Sequence, residues 1–432
     1  MPRRPRRLPR FLLASAAATG VVAAGVSVAP VAGAASSTTV TSSRVDPAYV
    51  RTTADQRISS YLTTRATTTR FGSAFSGAVL DSGSNTLVWS KNGDTALMPA
   101  STTKLVTASN ALTTFGPAYR FTTTVKQGSA ANRVVLVGSG DPTLTSAAVD
   151  RLASATATAV RARGITSVKV YADDYLFPAP SLAYGWKSTY VPTDITPVRA
   201  LVRSQHDVAD TTADAATYFR DRLKAHGVAA SYAGRTRAAS GAAVLASSAG
   251  YRLDTIVGQM LLGSDNEHAE ALHKLVGLRL GTGASWTDAA KAQRARMASR
   301  GLPVTALYDG SGLSRADRLT GVQLARVVDA AFDGRNTTAL EPLRSPSAMP
   351  TAGKTGTLKA SYGRFVTAQS ECAVGKVWAK TGSLTDAASL AGWTVGTDGR
   401  VKTFAFVVNG RSSTLTLKQN LDMLAATVNG CY

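Results

Sequence analysis

The strand-forming stretches that most narrow the fold of this chain lie far apart in it. Near the start, SGAVLDSGSNTLVWSKN (76–92) reads as two short strands about a Ser-Gly-Ser-Asn turn. Near the end, KVWAKTGSLTDAASLAGWTV (376–395) and KTFAFVVNG (402–410) read as antiparallel strands, followed by a closing helix over TLKQNLDMLAATVN (416–429). A helix over DPAYVRTTADQRISSYLTT (46–64), capped by Asp46 with Pro47 in its first turn, precedes the first hairpin. Strands from both parts of the chain then meet in one sheet with helices from both, an α+β arrangement.

MPASTTKLVTASNALTTFG (98–116) reads as a helix that is apolar or small on most faces, and so as a buried one. The middle of the chain holds three further strand-like stretches, FTTTVKQ (121–127), RVVLVGSGDPTL (133–144) and SVKVYADDYLF (167–177). Helices fall around Val149 to Arg163 and Asp214 to His226, and this block is long enough to be a unit of its own.

Five arginines (Arg3, Arg4, Arg6, Arg7, Arg10) precede an uncharged Ala/Val/Gly-rich run that ends in small residues. That is the pattern of a secretory signal, with cleavage expected near Ala34. Removing 34 of the 432 residues leaves 398, a length for which two folding units are the natural expectation. Of the formal charge of +21, five units belong to the leader, so the mature chain carries +16. Such a field attracts polyanions. No basic stripe interleaved with aromatics, finger or helix-turn-helix signature points to nucleic acid, and an export signal makes the anionic cell wall the expected polyanion. Two cysteines, Cys372 and Cys431, exclude a cysteine-rich zinc site. The four histidines match no metal-ligand spacing and read as ordinary surface or helix residues, so no metal or other cofactor is expected.

A serine hydroxyl is a poor nucleophile without a base in reach. Ser101 and Lys104 lie three apart at a helix start, which puts both side chains on one face, and no other lysine follows a serine at that spacing. Burial would lower the lysine's pKa and let it act as the base. Ser264-Asp265-Asn266 follows, offering a hydroxyl for proton transfer and an amide to hold a substrate. Lys-Thr-Gly then occurs twice, at 354–356 and 380–382. Pro350, Gly353, Gly356 and Gly363 give the first copy a loop composition. Around the second, Val377 and Ala379 alternate with Trp378 and Lys380 as in a strand, so Lys380, Thr381 and Gly382 are read as the working copy.

The order Ser-x-x-Lys, Ser-Asp-Asn, Lys-Thr-Gly resembles that of class A β-lactamases and penicillin-binding proteins. The 163 residues from Ser101 to Ser264 exceed what a compact β-lactamase needs. GSGDPTL (138–144), YADDYLF (171–177), GSDNEHAE (263–270), YDGSGLSR (308–315) and AGKTGTL (352–358) are similar to segments of the D-alanyl-D-alanine carboxypeptidase family S13, the penicillin-binding protein 4 or DacB type. The first Lys-Thr-Gly then matches a family loop, AG-x-x-GTL, with Lys and Thr at its variable positions.

This resemblance implies an α+β penicillin-binding (β-lactamase/transpeptidase-like) domain, an antiparallel sheet flanked by helices, with one or two mixed α/β domains inserted. The expected layout is a signal over 1–34, a Ser/Thr-rich lead over 35–44, a catalytic domain over 45–122 and 250–432, and the insertion over 123–249. It implies Ser101 as nucleophile, Lys104 as base and Ser264 as proton relay, with the backbone amides of Ser101 and Ser383 as oxyanion hole. Asn266 would bind the peptide amide, and Lys380, Thr381, Gly382 and Ser383 would line the carboxylate end of the site. The substrate would be a peptidoglycan stem peptide ending in D-Ala-D-Ala, and β-lactams would acylate and inhibit. A serine β-lactamase or a catalytically silent wall-binding protein are the alternatives. A class A deacylation base is a glutamate between the second and third motifs. Of the four glutamates, Glu341 opens EPLRS, which lacks the Leu-Asn ending of the class A loop and lies 39 residues before Lys380, and it is read as structural. In an exported chain, Cys372 and Cys431 are expected to pair.

Overall fold

A computed structural model describes residues 49–432. The leader, the Ser/Thr-rich lead and the Asp46-Pro47 cap lie outside the described residues. The first helix does not begin where the proline suggested: residues 49–52 are non-helical, and α1 runs Thr53–Arg65. Its start is set by a capping box in which Thr52 and Asp55 exchange hydrogen bonds, satisfying amides that the helix cannot.

After α2 (Thr68–Phe71), strands β1 (Phe75–Asp81) and β2 (Thr86–Lys91) form the hairpin, and α3 spans Thr103–Phe115. The middle block supplies β3 (Arg120–Gln127), β4 (Arg133–Val137), α4 (Ser146–Arg161), β5 (Ser167–Asp173), α5 (Thr211–Ala225), β6 (Ala229–Arg235) and β7 (Val244–Arg252). Helices α6 (Leu253–Gly263), α7 (Asn266–Arg279), α8 (Trp286–Ser299) and α9 (Gly321–Asp329) follow. Strands β8 (Val377–Leu384), β9 (Ala387–Val395) and β10 (Val401–Asn409) and helix α10 (Leu415–Asn429) close the chain.

The main sheet has the order β2-β1-β10-β9-β8, antiparallel throughout, so β10 joins the early hairpin to the late strands. Side chains alternate across it. Phe404, Phe406 and Val408 of β10 pack with Ile58 and Leu62 of α1 and Leu421 and Leu424 of α10. Ala405 and Val407 face the other way, onto Leu105, Val106 and Leu324. Both faces are covered, which is why β9 and β10 read as nearly continuous apolar runs.

At one end of β10, buried Lys402 donates to Asp55 (2.5 Å), Asp81 (2.7 Å) and Asp398 (2.9 Å). The lysine ammonium occupies the position that three such carboxylates would otherwise offer a metal ion. At the other margin, Cys372 and Cys431 form a disulfide with a Cα separation of 6.2 Å, fastening the end of α10 ahead of β8.

The second sheet, β6-β5-β4-β3-β7, is mixed: β4, β5 and β6 are parallel, with α4 and α5 in the connections. Val134, Leu136, Val168 and Val170 pack against Leu152, Ala153, Phe219 and Leu223 of those helices. Sequence patterning shows three of these strands. It misses β6 (AASYAGR) and β7 (VLASSAGYR), whose small residues carry little strand preference and are held by pairing with β5 and β3. Among the described residues, no helix is long and apolar enough to cross a membrane.

Candidate active site

Ser101 sits in a single 3-10 turn, Ala100–Thr102, that runs directly into α3. Ala100, at φ +48°, holds a left-handed conformation that a side chain disfavours. Two contacts hold it there. Ser389 of β9 donates to the Pro99 carbonyl (2.6 Å), and Gly312 packs so closely that a Cβ there would lie 1.9 Å from the Ala100 carbonyl oxygen. Such strain persists only where surroundings over-determine it.

Lys104, one turn on and wholly buried, places Nζ 2.9 Å from Ser101 Oγ, 2.8 Å from Asn266 Oδ1 and 2.7 Å from the Ser311 carbonyl oxygen. Burial pulls its pKa down to about 8, with Glu270 and Asp309 acting in the opposite direction. A neutral amine has two N–H groups and one lone pair. The Asn266 and Ser311 oxygens only accept, so they take the N–H groups and the lone pair is left facing the Ser101 hydroxyl.

Ser264 caps α6 in the left-handed conformation (φ +56°), and Asn266 opens α7 two residues later. The Asn266 amide nitrogen donates to the Asp194 carbonyl (2.9 Å), so the side chain is oriented from both ends. The second Lys-Thr-Gly lies on β8, the edge strand, as its alternation suggested. Lys380 is buried and donates to Ser264 Oγ (2.9 Å) and the Thr381 carbonyl (2.6 Å). Burial first, then the Lys104 and Arg364 charges, hold it well below the ordinary lysine value. Gly382 has a steric reason: a Cβ would lie 2.1 Å from Ser389 Oγ and 2.7 Å from the Pro99 carbonyl, so only glycine lets β8 lie against the turn carrying Ser101. Ser383, exposed, pairs with Ala388 on the next strand.

The first Lys-Thr-Gly is a loop, with Gly353 and Gly356 at φ +69° and +56° and Lys354 exposed. It is nevertheless close to the site. The Ala352 amide donates to the Val377 carbonyl and the Ala379 amide to the Pro350 carbonyl, stitching the loop to the outer edge of β8 before the motif begins. Thr357 Oγ1 then meets Thr381 Oγ1 at 2.7 Å.

Sequence reasoning did not place Thr357, Glu270 or the carbonyls of Ser311 and Asp194. Glu270 had a signal, being four residues after Asn266 and so on the same face of α7; backbone carbonyls have none. His268 and His273 are buried within α7 rather than on the surface, and burial lowers His273 to about 3, so it is neutral. Glu341 opens a 3-10 turn, Glu341–Arg344, whose Leu343 carbonyl accepts from the Trp393 indole.

A penicillin-binding fold in which a serine and a buried lysine meet at a helix start, beside an edge strand, defines a serine-type hydrolase. The chain belongs to the D-Ala-D-Ala carboxypeptidase 3 (S13) family, whose model matches residues 58–205 and 190–428. It is 32% identical over 354 residues to a carboxypeptidase of Mycobacterium tuberculosis, covering 77% of this chain and 76% of that one. It is also 32% identical over 376 residues to carboxypeptidase DacB of Mycolicibacterium smegmatis, covering 82% and 80%. In fold it is similar to penicillin-binding protein 4 (dacB) of Haemophilus influenzae, with a TM-score of 0.70 at 18% identity over 83% of this chain and 98% of that one.

Proposed function

We propose that this serine D-Ala-D-Ala carboxypeptidase works through an acyl-enzyme on Ser101. The observation that carries the reading is the Lys104 amine, 2.9 Å from Ser101 Oγ with its two N–H groups engaged elsewhere. Ser101 Oγ attacks the carbonyl carbon of the D-Ala-D-Ala bond and its proton passes to Lys104 Nζ. The oxyanion forms against the amides of Ser101 and Ser383. Ser264 gives its proton to the departing amine and is reprotonated from Lys380, 2.9 Å away, as the C–N bond breaks and D-Ala leaves. Water then adds to the ester carbonyl and its proton restores Lys380, while Lys104 returns its proton to Ser101 Oγ as the ester C–O bond breaks, freeing the shortened peptide and Ser101.

Lys380 and Thr381 receive the terminal carboxylate, whose negative charge would favour the lysine's protonated form. Asn266 holds the peptide amide. β-Lactams react at the same serine as inhibitors. A chain with this basic charge and leader acts outside the membrane on the anionic wall, with residues 123–249 as an insertion in the catalytic domain. Cross-bridge endopeptidase action would use the same groups.

Purified mature protein incubated with a defined pentapeptide muropeptide is expected to lose one terminal D-Ala by mass spectrometry, and Ser101→Ala to release none. Release at the wild-type rate by Ser101→Ala would overturn the reading.

A further inference from the structure

The YDGSGLSR segment stands out in the sequence and is unused by the mechanism above. It forms a loop trapped between α3 and α7. Gly310 allows no side chain, since a Cβ would lie 2.6 Å from the Ala269 carbonyl, and Gly312 sits on Ala100. The Gly310 carbonyl accepts from Thr107 Oγ1 of α3 (2.7 Å), and the next carbonyl, of Ser311, accepts from Lys104 Nζ. On the other side, wholly buried Glu270 accepts from the Gly310 amide (2.9 Å) and the Ser311 amide (2.7 Å). Asp309 turns inward and accepts from the amides of Gly312 (2.8 Å) and Ser314 (2.7 Å) and from the Trp186 indole (2.7 Å).

We infer that Glu270 is a positioning residue for the catalytic base: its carboxylate grips the 310–311 backbone and so aims the Ser311 carbonyl at Lys104. This rests on the reading of Lys104 as the base. Without the Ser311 acceptor, the amine would be free to turn an N–H group toward Ser101 in place of its lone pair. Glu270 also faces Lys104 as a charge. Burial first, then Asp309, push its carboxyl up to about 8 against the pull of the two amide donors, so it carries its charge only as the pH rises to that value. The other charged groups about Lys104 are Glu267 and Asp265 from the start of α7, Asp309 from the loop and Lys380 from β8; Lys274 lies near Glu270.

The test is the pH profile of acylation by a fluorescent penicillin, with Ser101→Ala as control. Because Lys104 must lose its proton to act, the acidic limb of the profile reports its pKa. Removing a negative charge beside it lowers that pKa. Glu270→Gln, which also turns an amide N–H toward a backbone donor, is expected to slow acylation about 100-fold and to move the limb about one pH unit lower. Glu270→Asp, keeping the charge, should leave the limb in place. Thr107→Val, which loosens the loop from the α3 side without changing charge, should slow acylation about tenfold with no shift. Rates within twofold of wild type for Thr107→Val, or for a folded Glu270→Gln, would overturn the inference. If Glu270→Gln does not fold, the Thr107→Val result decides alone. A wild type that is not labelled at Ser101 would instead overturn the reading of the base itself.

Discussion

Two groups of buried lysines show how one side chain serves opposite ends. Lys402 ends among Asp55, Asp81 and Asp398, whereas Lys104 and Lys380 end among hydroxyls, an amide oxygen and carbonyls. Burial draws all three pKa values down. Only at Lys402 do carboxylate hydrogen bonds outweigh it and hold the pKa above the ordinary value. A lysine given anions stays a cation and braces the fold. A lysine given neutral acceptors can surrender its proton, as the proposed attack by Ser101 requires. The exposed Lys354 of the first Lys-Thr-Gly has neither environment.

The comparison is sharpened most by Lys104→Ala, which is expected to cut β-lactam acylation by about a thousandfold or more, the range of a lost general base, while leaving the melting temperature at or above wild type. A clear fall in melting temperature would put Lys104 in the bracing class.

Lys402→Met should do the reverse. Leaving buried carboxylates unpaired costs about 3 to 5 kcal/mol of stability, visible in denaturant titration, with the acylation rate per folded molecule kept. The charge also sets a pH dependence. A lysine raised in the folded state contributes fully below its unfolded value and is lost as pH climbs through the folded one. Asp55 and Asp398, which burial raises but Lys402 hydrogen bonds hold below the usual carboxylate range, contribute above their unfolded value and lose it as pH falls. Lys402→Met should flatten both edges of the stability profile.

Lys380→Ala is expected to slow acylation by about 2 to 5 kcal/mol in barrier terms, and Lys354→Ala not measurably. Equal losses would break the distinction between the two copies. Thr357→Val, removing one hydroxyl contact to Thr381, should cost about tenfold in the same assay. A loss as large as that of Lys380→Ala would mean that the first copy's loop carries substrate itself.

The distinction between the copies was legible because composition reports strand against loop: Val377 and Ala379 alternate, while Pro350 and Gly353 interrupt. The Ser101 and Lys104 pair was legible from helical spacing. The rest of the Lys104 environment was not, since the Ser311 carbonyl arrives from 207 positions away and backbone atoms leave no residue signature. Likewise the Lys402 cluster joins α1, the end of β1 and the β9–β10 turn, three regions that only the folded sheet brings together. The small-residue strands β6 and β7 were hidden because pairing, not propensity, makes them strands.

The most direct test of the central claim is the position of the covalent adduct. Mature protein treated with benzylpenicillin, digested and mapped by tandem mass spectrometry is predicted to carry one penicilloyl group, on Ser101. An adduct on Ser264 or Ser311, with Ser101 unmodified, would contradict the account.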